Sequence, residues 1–133
     1  MAGRFYLDET DLKLAKALTE MHEGIVNPGH EDLPQVPRGT QDDAWLPVVG
    51  SLGLVVITRD ARIRYRSMEK ARWIDHRVRG FVLTGRTSQS TDQSLALLTR
   101  WWTPIGEVTI QRPIGPWMYS ITNSGIRQLE LVV

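Results

Sequence analysis

Apolar residues along this chain come in short blocks that alternate between the strand period and the helix period. Phe5-Tyr6-Leu7 is a brief apolar run closed at once by Asp8 and Glu9, the pattern of a buried strand that ends at an acid. Leu12, Ala15, Leu18 and Met21 then recur at three-residue spacing, which predicts one apolar face of a helix, with Thr10 as its N-cap and Gly24 as its stop signal. Pro28, Gly29, Pro34, Pro37 and Gly39 mark the next stretch as a loop holding at most a short strand near Leu33 to Val36. A second helix is expected to open at Thr40 or Asp42 and to carry Trp45, Leu46, Val48 and Val49. Pro47 would be accommodated near its first turn, and Gly50 and Gly53 would close it.

Leu54-Val55-Val56-Ile57 is the strongest strand signal in the chain. Consecutive apolar residues with β-branching predict burial on both faces, as in a parallel sheet. Ser67 to His76 reads as a third helix, Phe81-Val82-Leu83 as another buried strand, and Ser90 or Thr91 as the cap of a fourth helix with Leu95, Leu98 and Trp102 on one side. Towards the carboxyl end, Val108 to Ile110 and Trp117 to Ile121 alternate more, and Asn123-Ser124-Gly125 marks a turn before Ile126 to Val133. This order of elements predicts an α/β fold: one domain over residues 1–133, with a mostly parallel central sheet flanked by helices on both faces.

Composition narrows the chemistry. The chain contains no cysteine, which excludes disulfides and thiolate zinc sites and suits a cytoplasmic location. Asp8 and Glu9 fall where a signal peptide needs an apolar stretch, and no run reaches the roughly 20 apolar residues of a membrane helix, so no membrane association is expected. Net charge is only +1, but it is unevenly spread. Residues 1–45 hold nine acids against four Lys or Arg, whereas residues 59–79 hold eight Lys or Arg against three acids. An acidic half beside a basic strip is compatible with a cation site next to a polyanion surface, while charge counts alone favour two solvated faces.

Parallel α/β sheets bind ligands beyond the carboxyl ends of their strands. Asp8 stands at one such end and Asp60 closely follows another, while Asp42 opens a helix near the same crevice. Each has a plainer role available: Asp8 as a strand stop, Asp42 as an N-cap, Asp60 as a turn residue. Three carboxylates converging there would repel one another unless a cation joined them, and oxygen ligands suit Mg²⁺ or Mn²⁺.

Phe5-Tyr6-Leu7-Asp8-Glu9 resembles the opening strand of PIN-like domains of the VapC toxin type. The block from Asp42 through Val48-Val49-Gly50 and Gly53 to Val55-Val56-Ile57-Thr58-Arg59-Asp60 is similar to the element of that family in which an acid starts a helix and a Thr-Arg-Asp ends the next strand. The resemblance implies a metal-dependent endoribonuclease, the toxin of a bacterial toxin–antitoxin pair. Asp8, Asp42 and Asp60 would be its catalytic and metal-binding carboxylates, Mg²⁺ or Mn²⁺ its cofactor, and RNA its substrate. A small cognate antitoxin is the expected protein partner, and homodimerisation stays open. One departure stands out: many family members carry a further acid between the first and the helix-opening one. Here Glu31 and Asp32 occupy that interval only within the Pro-rich loop, so Glu9 or Asp43 could substitute, or one ion could suffice. The same departure keeps a catalytically inactive RNA- or protein-binding module as the alternative. Arg59, Arg62, Arg64 and Arg66 follow the last acid, where an RNA backbone would need neutralising, with Tyr65 available to stack on a base.

Overall fold

The computed structural model describes residues 4–60, 63, 65–85 and 90–131. Its elements alternate as the periods predict: β1 (Phe5–Tyr6), a 3-10 turn (Glu9–Asp11), α1 (Leu12–Met21), β2 (Ile25–Val26), α2 (Asp42–Leu52), β3 (Val55–Thr58), α3 (Ser67–Asp75), β4 (Arg79–Leu83), α4 (Thr91–Gln111), β5 (Trp117–Thr122) and β6 (Gly125–Leu129). The strands form one six-stranded sheet in the order β2-β1-β3-β4-β5-β6. All pairs are parallel except β5 with β6, which form the antiparallel edge. Among the described residues, no helix is long and apolar enough to cross a membrane.

Successive strand residues point to opposite faces, and both faces are packed. Phe5, Leu7, Val55, Ile57, Phe81, Leu83, Trp117 and Ile121 lie under α1 and α4. Tyr6, Val26, Val56, Val82 and Met118 lie under α2, α3 and the loop residues Leu33 and Val36. Burying both faces explains why the strands read as continuous apolar runs rather than as alternating ones.

From β1 the chain steps outward to β2 over α1, returns past β1 to β3 over α2, and continues to β4 over α3. Direction and face reverse together, so these three crossovers share one hand. The crossover through α4 moves onward from β4 to β5 yet lies on the α1 face, so its hand is opposite to that of the others, a rare arrangement for parallel strands. Trp102 anchors α4 there, against Phe5 with ring centroids 5.0 Å apart and against His22 at 4.2 Å.

Several local expectations are corrected. The Leu33–Val36 strand is absent; these two apolar residues instead plug the α2 face from within turns, and the short strand is Ile25–Val26. Val108–Ile110 belongs to α4, because Leu98, Ile105 and Thr109 are buried at helical spacing and Thr109 Oγ1 donates to the Ile105 carbonyl at 2.8 Å. In α1 the buried stripe is Leu14, Ala15 and Leu18, continued by Asp11 at the end of the preceding 3-10 turn, and Met21 is half exposed. Thr10 lies inside the 3-10 turn and caps nothing, whereas Ser90 makes a full capping box with Gln93. Pro47 sits in the second turn of α2, where its missing N–H removes one ladder bond without ending the helix. Gly53 takes the left-handed conformation that closes α2, but Gly50 is interior. A Cβ on Gly50 would lie 2.1 Å from the His76 carbonyl oxygen, so it lets the end of α3 approach.

Candidate functional site

The direction of winding reverses between β1 and β3, and the crevice beyond the carboxyl ends of two such strands is where doubly wound sheets bind ligands. Tyr6 pairs with Val56, so continuing the register brings Asp8 level with Thr58, with Asp60 two residues further on. The Pro/Gly loop then delivers the first turn of α2, with Asp42 and Asp43, to the same end.

Asp8 is the centre of this rim. Burial pushes its carboxyl above the usual carboxylate range, and the charges of Asp42, Asp11 and Glu9 push the same way, against a hydrogen bond from the Glu9 backbone. Beneath it the Tyr6 hydroxyl is buried and has no hydrogen-bond partner among the described residues. Burial, with Asp8, Asp42 and Glu9 around it, holds that phenol firmly protonated. Asp42 is exposed and accepts a 3.0 Å bond from Trp45 Nε1, which orients its side chain while Trp45 packs on Tyr6 at 4.7 Å.

The remaining predicted residues have distinct partners. The Asp60 N–H donates to Thr58 Oγ1 at 3.1 Å, and its carboxylate lies 3.4 Å from the Arg66 guanidinium, which also reaches Glu69 at 3.1 Å. Arg59 does not point freely outward: its Nε donates to Asp11 Oδ1 at 2.7 Å, a pair with both side chains largely buried. Glu9 accepts from the Gly39 N–H at 2.6 Å and so ties the Pro/Gly loop to the rim. Asp43 is exposed in the first turn of α2, where the helix dipole favours an acid. Arg62 and Arg64 lie outside the described residues. Glu31 and Asp32 are exposed in the loop, and neither is among the charges that act on Asp8.

A family model described as a PIN-like domain matches residues 3–85, more than half of the chain. The chain belongs to the PIN-like domain family. No curated protein and no solved structure matches it. Membership suggests a nuclease-type function in general terms, and the matched segment of this PIN-like domain contains every acid of the rim.

Among the described residues, no three Asp, Glu or His side chains stand close enough together to hold a metal ion. The acids of the PIN-like domain that could hold one are Asp8 and Asp42, over the orphaned Tyr6 hydroxyl. Two carboxylates with neutral oxygen beside them fit a small hard cation that keeps several of its waters. The buried acid Asp11 and the tyrosine below Asp8 were both missed by reading the sequence. The spacing of Asp11 with Leu14, Ala15 and Leu18, all on one helical face, was the signal that marked Asp11 as buried.

Proposed function

We propose that this PIN-like domain is a metal-dependent endoribonuclease, the toxin of a bacterial toxin–antitoxin pair. The observation that carries the reading is the half-buried Asp8, its carboxyl pushed up by burial and by neighbouring acids, above an unpartnered buried hydroxyl. Clustering like charges in a partly dry crevice is costly for folding and useful for capturing a cation. Asp8 and Asp42 would hold Mg²⁺ or Mn²⁺. Asp60 would join them once released from Arg66, and Glu9 or Asp43 stands ready as a further ligand. A bound ion would supply a water of lowered pKa and charge stabilisation at the scissile phosphate. Arg66, freed from Asp60, would pair with a phosphate of the strand. Tyr65, 73% exposed beside it, offers a face on which an unpaired base can stack. The Arg59–Asp11 pair would act indirectly, by fixing the turn that carries Asp8 and Glu9. A small antitoxin would silence the enzyme by covering the acidic rim.

Inducible expression of wild type beside Asp42→Asn, with growth and RNA integrity followed, tests this reading. Wild type should arrest growth and degrade RNA. The variant should do neither, with cleavage by the purified protein reduced on the order of 10²-fold or more and equally lost in EDTA. A second reading, an inactive module that binds RNA or a protein, is favoured by two observations: Asp60 is engaged by Arg66, and no group of three acids is assembled among the described residues. RNA left intact by pure wild type in Mn²⁺ would select it.

A further inference from the structure

The open face of β4, β5 and β6 carries a second polar surface, remote from the acids. Ser120 and Thr122 project from the same face of β5, Arg127 stands opposite Ser120 on β6, and Thr84 follows β4. Lower on this face the space is filled: the Trp73 ring lies against Gly80, and its Nε1 donates to the Trp117 carbonyl at 3.1 Å. Above it remains a groove of about 370 Å³ lined by Thr84, Ser120, Thr122, Ser124 and Arg127. Its floor is hydroxyl, since Thr84 and Ser120 are each only 7% exposed. Among the described residues no carboxylate lines it. Arg127 is exposed and makes no ion pair among the described residues.

We infer that this groove binds the sugar–phosphate backbone of single-stranded RNA, on a strand that runs on into the Asp8–Asp42 crevice. A hydroxyl both donates and accepts, as does the ribose 2′-OH it would meet, and a guanidinium matches phosphate oxygens. The ratio decides the occupant. A ribose–phosphate unit alternates one charge with neutral groups; among the described residues the groove offers one cation and four hydroxyls, with Ile126 and Leu129 as apolar wall. An acidic peptide would bring several carboxylates to a single guanidinium. Position agrees: the groove lies at the carboxyl ends of β4 and β5, the same end of the sheet as Asp8. Three strand spacings separate β5 from β1, roughly 14 Å. The segment bearing Tyr65 and Arg66 follows β3, between the two. Most of the groove lies beyond residues 3–85, so it is a feature of this chain outside the matched family region. The inference rests on RNA being the substrate of the proposed nuclease.

The test is RNA binding by the full chain in Ca²⁺, a hard cation that can neutralise the acids of the crevice, using labelled single strands, a short one that fills only the crevice and a longer one, at several salt concentrations. Arg127→Ala should weaken binding of the longer strand by about tenfold, as for one charge-assisted hydrogen bond. Its salt slope should fall by about 0.7, as for one phosphate contact. Binding of the short strand should not change. Arg127→Lys should keep the slope. Thr122→Val should weaken RNA more than DNA of the same sequence, because only RNA has the 2′-OH. Equal affinity and slope for wild type and Arg127→Ala on the longer strand would overturn the inference. So would displacement by polyglutamate from wild type but not from Arg127→Ala, combined with no effect of Thr122→Val. Cleavage in Mn²⁺ is scored separately. If wild type cuts nothing while Arg127→Ala still loses the longer strand, the groove stands and the nuclease reading falls.

Discussion

The two ends of the sheet treat polar groups in opposite ways. At the amino ends of the strands one guanidinium settles the ends of two helices: Arg79 donates to the carbonyls of Gly53, Thr109 and Arg112 at 2.8, 3.1 and 3.1 Å. The carbonyls that close α2 and α4, negative by the helix dipole, thus meet a half-buried cation. Burial and the nearby Arg4 lower the pKa of Arg79, yet arginine keeps its charge. At the carboxyl ends, Asp8 faces Asp42, Asp11 and Glu9, and the Tyr6 hydroxyl beneath them has no partner among the described residues. At the first end the helix-closing carbonyls find their donor and serve stability, although the buried His22 Nε2 nearby has no partner among the described residues. The other is left in conflict, which is expected where a site must bind something absent from the protein itself.

Removing Arg79 should give the largest effect on stability. Arg79→Met leaves carbonyls from two helices without their donor and should cost about 2–4 kcal/mol, read as a lower midpoint in urea. RNA cleavage per folded molecule should hold. A loss of activity at unchanged stability would show that the base also shapes the rim, and the contrast would fail.

Asp8→Asn should act in the reverse direction. A carboxyl whose folded pKa is raised binds more protons folded than unfolded, so its contribution to stability falls as pH rises from the ordinary carboxylate value of about 4 through the raised one. The substitution should therefore stabilise at pH 7, with the gain vanishing below about pH 4. Water at this half-buried rim screens the charges, which holds the gain to about 1 kcal/mol or less. Thermal melts of the apoprotein across that range check the sign, and destabilisation at pH 7 would mark Asp8 as a structural acid.

The smallest effect is expected for Tyr6→Phe. Deleting a hydroxyl with no partner keeps the packing on Trp45 and should change stability by under about 1 kcal/mol, in the favourable direction. If a water of the proposed ion fills that hydroxyl's need, the same change should weaken Mn²⁺ binding in calorimetry. Opposite signs for stability and metal affinity would sharpen the contrast between the two ends. A loss in both would instead mean that the hydroxyl supports the fold.

Much of this was legible along the chain. Leu54 to Ile57 read as a strand buried on both faces; the strand is Val55–Thr58, and this run is buried on both faces, because only a doubly covered sheet tolerates an unbroken apolar run. Asp8 at a strand end and Asp42 at a helix start were visible from local period alone. Turns misled where apolar residues served a face without forming an element, as at Leu33 and Val36. They misled again where three alternating residues, Val108 to Ile110, were absorbed by a longer helix.

The sequence by itself determined the alternation of strands and helices, the burial of the sheet on both faces and the family, because periods of two and 3.6 residues and short motifs are local properties. Tertiary structure alone decided the company each charge keeps. Arg59 and Asp11 are 48 residues apart and meet because β1 and β3 are neighbours. That meeting turns a residue of the basic strip inward and gives the rim a buried acid. The order of strands likewise set Asp42 against Asp8, and the face chosen by α4 left the hydroxyls of β5 open beside Arg127. Such pairings depend on which strands lie side by side, and no local period encodes that.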